Sequence, residues 1–311
     1  MNRVFIFPGQ GSQKIGMCKD LYENFAVAKE VFAEVDDALS FKLSDIIFGG
    51  TDEELTRTCN TQPALMAASM SLIKVIEHLS GKKIKDICSL VAGHSLGQYT
   101  ALCASGALSI SDCALILRSR GLFMQDACPK GEGGMAAILG ADLNVVKSIL
   151  VEASRLGVCE IANDNSKEQI VISGNNIAID KAIILFKENG VKAIKLNVSA
   201  PFHCSLMNPA LERMKDVIQN ARFNPLSIPV IDNVSIKITD DVDFLKQKLI
   251  EQIVSTVRWR ETMDIIAEKY TAIYEIGEGK ILTNLFNRSH SSVSACAINN
   301  KEDIANIIPH F

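Results

Sequence analysis

The chemistry this chain could do starts at a serine between glycines, Gly93-x-Ser95-x-Gly97, in the stretch VAGHSLGQYTAL (91–102). Glycines at these spacings let the backbone make a sharp strand-to-helix turn that exposes a serine Oγ as a nucleophile. The plain alternative is a turn with no chemistry, for which glycine is equally suited. The context favours the nucleophile, because a buried-looking apolar run, ICSLVAG, leads in and a helical pattern, QYTALCASGAL, leads out. A serine of this kind needs a base, and the chain offers five histidines. His78 lies in a helical pattern and reads as a surface or packing residue. His94 adjoins the serine, and neighbours across such a turn point apart, so it reads as structural or pocket-lining. His290 and His310 fall in the polar C-terminal region. His203 sits in SAPFHCSLMNPA, a proline-punctuated loop of the kind that carries catalytic groups on a rigid scaffold.

Several elements must position these groups. RVFIF (3–7) reads as a strand stopped by Pro8 and Gly9, with a glycine loop, GQGSQ, after it. NTQPALMAASMSLIKVIEHL (60–79) has apolar residues at helical spacing. ICSLVAG (87–93) has the continuous apolar character of a central parallel strand. Between about 135 and 198 the pattern runs strand, helix, strand, strand, helix, strand, the order of the ferredoxin-like motif. The expected architecture is α/β: a large domain with a parallel sheet made by residues 1–130 and 199–311, and a small α+β subdomain, 131–198, inserted into it. PKGEGG (129–134) and VSAPFH are the expected hinges, and the cleft between the two units is the expected site.

Composition limits the partners. A chain of 311 residues with 48% hydrophobic side chains can bury a large core. A net charge of −4 with dispersed basic residues argues against general nucleic-acid binding. Nine cysteines without a Cys-x-x-Cys, and no cationic leader with an apolar core, read as a reduced cytoplasmic protein. Apolar runs are interrupted before the roughly 20 residues that a membrane helix needs, so no span is expected.

The ordered motifs FPGQGSQ, GHSLGQ, SRGLFMQ, NDNSKEQIVISG, SAPFHCSLM and VRW cover most of the chain. In this order they resemble the malonyl-CoA:acyl carrier protein transacylases of bacterial fatty-acid synthesis and the related acyltransferase domains of polyketide synthases. The resemblance implies that the large domain is α/β-hydrolase-like. It also implies that Ser95 is acylated, that His203 is its base, and that the base is oriented by a main-chain carbonyl, aligned here with that of Arg258. Backbone N–H groups of Gln10 and Leu96 would hold the oxyanion. Arg120 matches the arginine that holds the malonyl carboxylate, a task suited to a planar guanidinium fork. Arg118, on the same helix, faces elsewhere. Phe202 matches the residue type associated with malonyl over methylmalonyl selection, a preference worth about 1–3 kcal/mol when it rests on steric rejection alone. Asn163 and Asn165 match asparagines near the cleft, although turn chemistry alone would also place them in such a loop.

Departures from the family pattern are Gln98, where glutamate is common, Arg258, where some members have glutamine, and Glu278, where proline is frequent. If Arg258 turns inward, the site gains a second positive charge. The implied reaction is reversible ping-pong transfer of malonyl from coenzyme A to the phosphopantetheine thiol of acyl carrier protein, with no metal or redox cofactor. The implied protein is a monomer with a local basic surface at the cleft mouth for an acidic carrier. Rival readings are a discrete polyketide acyltransferase and an esterase of the order serine, acid, late histidine (His290 or His310). A third is a carrier-binding protein with an inactive serine turn.

Overall fold

The computed structural model describes residues 2–311. Its strands, in chain order, are β1 (Arg3–Phe7), β2 (Leu90–Gly93), β3 (Gly133–Leu139), β4 (Cys159–Ser166), β5 (Gln169–Asn175) and β6 (Lys192–Lys195). They continue with β7 (Val230–Ile231), β8 (Ile238–Thr239), β9 (Ala272–Ile276) and β10 (Ser294–Ile298). They form a six-stranded sheet in the order β10-β9-β1-β2-β7-β8 and a four-stranded sheet in the order β4-β5-β3-β6. The larger sheet is parallel from β10 to β7, and β8 pairs antiparallel at its edge. The smaller sheet is antiparallel throughout.

Strands covered on both faces must be apolar throughout. Val4 to Phe7 of β1 and Leu90 to Gly93 of β2 are accordingly buried, and they pair in register from Val4 opposite Leu90 to Phe7 opposite Gly93. The strand expected from 87 begins only at Leu90, because the Ile87 and Cys88 N–H groups turn back onto the Ile84 carbonyl. The smaller sheet has its own core, in which Ile138, Ile172, Ile179 and Phe186 are buried. The smaller sheet is tied to the segment before the helix Trp259–Lys269, where Val257 donates to the Ala162 carbonyl at 2.9 Å and Asp164 donates to the Val257 carbonyl at 3.0 Å. Arg260 adds a two-pronged ion pair to Asp164, with the shorter contact 2.7 Å. Among the described residues no helix is long and apolar enough to cross a membrane.

Two helices frame the site. The helix Thr58–Ser80 contains Pro63, which lacks the N–H that would bond the Cys59 carbonyl. Arg118, from the helix Ile110–Asp126, donates to that carbonyl instead at 3.0 Å. Gly121 lets the helices touch, since a Cβ there would stand 2.5 Å from the Cys59 Cα. This close approach presses the neighbouring Arg120 into the interior.

Candidate active site

β1 and β2 are adjacent and parallel, and their carboxyl ends open into the loops Pro8–Gln10 and His94–Ser95, where open α/β sheets place ligands. The backbone at Ser95 has φ 54° and ψ −109°, a conformation that non-glycine residues rarely adopt. Strain of this kind is held by close packing on both sides. A Cβ on Gly93 would lie 1.9 Å from the Gly97 carbonyl oxygen, and one on Gly97 would lie 2.3 Å from that of Phe7. Leu96 is the first residue of the helix Leu96–Ala104, where N–H groups point outward without an intrahelical acceptor.

Ser95 Oγ lies 2.7 Å from His203 Nε2. The other ring nitrogen, Nδ1, lies 2.8 Å from the main-chain carbonyl of Gln252. A carbonyl can only accept, so Nδ1 carries the proton and Nε2 is free to accept from the serine. His203 also has a positive φ, 60°. Its loop is pinned from the small sheet, where the Glu160 carboxylate accepts from Ser205 N and Oγ at 2.9 and 2.6 Å. Burial, and next the charge of Arg120, push the His203 pKa down to about 3. The imidazole is therefore neutral at neutral pH, as a base must be.

Arg120 is 1% exposed. It donates to Gln62 Oε1 at 2.8 Å, Gln252 Oε1 at 3.0 Å and Ser95 Oγ at 3.1 Å, and its guanidinium lies 5.3 Å from the Tyr99 ring centre. Its Nε has no partner, and no carboxylate pairs with it among the described residues. The result is a desolvated cation, touching Ser95 Oγ, whose acceptors are all neutral. Arg118, by contrast, is occupied by the Cys59 carbonyl and Asn60 Oδ1 and stacks on Phe41.

A cleft of about 350 Å³ joins these groups, lined by Gln10, His94, Ser95, Leu96, Arg120, Asn163, Phe202 and His203, with apolar walls from Met124, Met135 and Val171. His94 Nε2 meets Asn165 Oδ1 at 2.8 Å, and its ring stands edge-on to Trp259. Asn163 pairs with Val257 in an isolated parallel bridge. Gln10 Nε2 reaches Thr58 Oγ1 at 3.3 Å, which fixes its loop.

Arg258 departs from expectation in its carbonyl, and its side chain, whose direction the sequence left open, turns outward. Its carbonyl accepts from Thr262 N and Oγ1 at the start of the helix Trp259–Lys269, so the carbonyl on His203 is that of Gln252. Its guanidinium turns away from the cleft to Glu261, at 2.8 and 2.5 Å, and to the Val234 carbonyl. The helix that begins beside it uses the carbonyl for its own first turn, and Glu261 supplies the charge partner. Among the described residues no second arginine or lysine lines the cleft. Sequence reasoning missed Gln252, which closes the helix Val242–Glu251 and carries no motif of its own. The late histidines lie outside the cleft: His290 pairs with Asp264 at 2.9 Å, and the His310 carbonyl accepts from Arg3.

The acyl transferase domain model matches residues 4–308. The chain is 45% identical over 304 residues to the malonyl CoA-acyl carrier protein transacylase of Bacillus subtilis, covering 97% of this chain and 94% of the relative. It is 37% identical to the Escherichia coli transacylase of the same name, covering 97% of each. The crystal structure of acyl-carrier-protein-S-malonyltransferase from Bartonella henselae superposes with a TM-score of 0.97 at 45% identity, covering 100% of this chain and 99% of that one. A malonyl-transacylase solved in complex with its type II PKS acyl-carrier protein gives a TM-score of 0.96 at 36% identity, covering 100% of both chains.

Proposed function

Because the chain belongs to the acyl transferase family, among the malonyl CoA-acyl carrier protein transacylases, we propose that it moves malonyl from coenzyme A to the phosphopantetheine thiol of an acyl carrier protein. The supply of fatty-acid synthesis is the first assignment, and a polyketide carrier is the alternative, favoured by the complex among its structural neighbours.

In this reading His203 Nε2 takes the Ser95 proton as Oγ attacks the thioester carbon. The tetrahedral oxyanion is held by the N–H groups of Gln10 and Leu96, and preorganised donors of this kind are often the largest single contribution to rate. Collapse breaks the carbon–sulfur bond, and the imidazolium returns its proton to the coenzyme A sulfur. The carrier thiol then gives its proton to His203, attacks the serine ester and leaves as malonyl thioester, with the proton restored to Ser95 Oγ. Each step uses side chains and backbone of this chain and calls for no metal or redox cofactor.

The observation that carries malonyl as the acyl group is Arg120. A malonyl carboxylate sits two carbons from the acyl carbon, within reach of a guanidinium that touches the attacking oxygen and has an idle Nε. Phe202, 9% exposed beside the base, fills space that an α-branch would need. His94 and Asn163 line the wall. The ferredoxin-like assignment of 131–198, inserted into an α/β-hydrolase-like domain, is supported by the strand order β4-β5-β3-β6 and the separate core. A cytoplasmic location accords with nine free cysteines, eight of them buried.

The test is intact-protein mass spectrometry after brief exposure to malonyl-CoA without carrier. One malonyl adduct on the wild type, absent from Ser95→Ala and strongly reduced in Arg120→Ala, is expected. An adduct indifferent to Arg120 would overturn the malonyl assignment.

A further inference from the structure

We infer that Glu160 is a positioning residue for the transfer: from the smaller sheet its carboxylate grips Ser205, two residues beyond the base, and so holds the His203 imidazole between Ser95 Oγ and the Gln252 carbonyl. The inference rests on the acyl-transfer reading above.

The base sits where the backbone cannot hold it unaided. His203 has φ 60°, a left-handed conformation that a residue with a Cβ keeps only when its surroundings impose it. The bonds inside its loop are short-range: Phe202 N donates to the Ala200 carbonyl at 3.1 Å, and Cys204 Sγ to that of Pro201 at 3.2 Å. They shape the turn without tying it to the rest of the molecule. The ties come from the smaller sheet. On β3, Gly133 leaves room for Pro201, whose ring a Cβ would meet at 2.4 Å. On β5, Ser173 Oγ donates to Cys204 Sγ at 3.5 Å. On β4, Glu160 accepts from Ser205 N at 2.9 Å and from Ser205 Oγ at 2.6 Å. Glu160 and Ser173 stand opposite each other in the β4–β5 pairing, so one cross-strand pair holds the consecutive residues that follow the base.

Of these ties the carboxylate is the strong one. A thiol is a weak hydrogen-bonding partner and the proline contact has no direction, whereas paired charge-assisted bonds fix Ser205 in distance and orientation. Ser205 N opens the short helical turn Ser205–Met207, where it has no acceptor of its own, and the helix Asn208–Asn220 follows directly. The tie comes from the same sheet whose Met135, Asn163 and Val171 line the cleft. One sheet thus sets both the wall that meets the acyl group and the base that serves it. Glu160 is not among the residues that line the cleft, so its influence falls on the base and not on substrate binding.

The experiment follows serine loading from malonyl-CoA by rapid quench in the full-length wild type, Glu160→Ala and Glu160→Gln. Glu160→Ala is expected to lower the maximal loading rate about tenfold, as a small displacement of a reacting group does. The half-saturating malonyl-CoA concentration should stay within about twofold, because no substrate contact is removed. Glu160→Gln offers an oxygen to Ser205 N and an amide N–H to Ser205 Oγ, and should bring the rate back to within about threefold of wild type, since position and not charge is at stake. Asp142→Ala removes the cap at Asn144 N of the helix Leu143–Ala153, which shares the smaller sheet's core, and should lower the melting temperature while loading at the wild-type rate. The inference is overturned by a Glu160→Ala that loads as fast as the wild type, by a loss carried by the half-saturating concentration, by a Gln variant no better than Ala, or by an equal loss in Asp142→Ala. If Glu160→Ala does not fold by circular dichroism, Ser205→Ala removes the shorter bond and keeps the other, with a loss of about threefold expected, and an unchanged loading rate there overturns the inference equally. A wild type that forms no malonyl-serine overturns the acyl-transfer reading itself, so the two failures are distinct.

Discussion

At the scale of single residues, the site combines a cation without an anion and a buried histidine without a carboxylate. The carbonyl of Gln252 fixes the His203 tautomer but carries no full charge to stabilise the imidazolium. Burial and Arg120 both oppose that charge. A bound malonyl carboxylate would cancel the Arg120 effect, so the substrate itself should strengthen the base. The acid limb of kcat/KM for malonyl loading, which reports the free enzyme, is accordingly expected well below the ordinary histidine value of about 6.5. A limb at or above that value would show that His203 is not the titrating base. Stability follows the same sign. The folded pKa lies below the unfolded one, so the unfolded chain binds more protons between them, and stability is lost as pH falls from about 6.5 toward about 3. Thermal melts of His203→Gln should show a shallower loss over that window than the wild type. Substitutions should separate the arginines. Removing Arg120 is expected to lower malonyl kcat/KM on the order of a hundredfold, as truncating one partner of a buried charge pair does. Arg258→Ala should leave loading within about threefold, since its exposed-side pair with Glu261 is worth little. A large loss in Arg258→Ala would contradict its placement outside the cleft.

At the scale of elements, the turn after β2 depends on backbones that approach too closely for any side chain. Gly97→Ala would set a methyl 2.3 Å from the Phe7 carbonyl oxygen, in contact with backbone that cannot move without shifting β1. The expected cost exceeds about 3 kcal/mol, at the large end for single substitutions. A chemical-denaturation midpoint close to that of the wild type would refute this. Gly121→Ala belongs to the same class, because it would wedge apart the two helices that press Arg120 inward. These constraints were legible early. The apolar runs of β1 and β2, the glycine spacing and the helix 58–80 all follow from local pattern, since burial on both faces, tight turns and helical periodicity leave their mark within a few residues.

At the scale of the whole molecule, Ser95 and His203 come from distant segments, and the cleft is closed by the smaller sheet. Beside the cleft a second depression shares Ile281 and Leu285 with it and presents Lys192 and Arg288. For an acidic carrier docking on this face these cations, beside Glu168, would be the attractive charges, so Arg288→Glu is expected to raise the carrier KM several-fold and flatten its salt dependence, with a smaller effect on loading from malonyl-CoA. Equal effects on both half-reactions would argue against a carrier-specific role. The sequence by itself determined the α/β alternation and the serine turn, because each is written in residue type and short-range spacing, while the resemblance of its ordered motifs to the family pointed to His203 and Arg120. It misassigned the carbonyl that orients the base and left the direction of Arg258 open. Every residue has a carbonyl, and no side-chain type marks the one that a fold 49 positions away will present. Only the tertiary structure could decide that the end of the helix Val242–Glu251 lies under His203, that Glu261 draws Arg258 outward, and that the acceptors around Arg120 are neutral. Those are facts of long-range packing and shared burial, and the local pattern of a chain does not encode them.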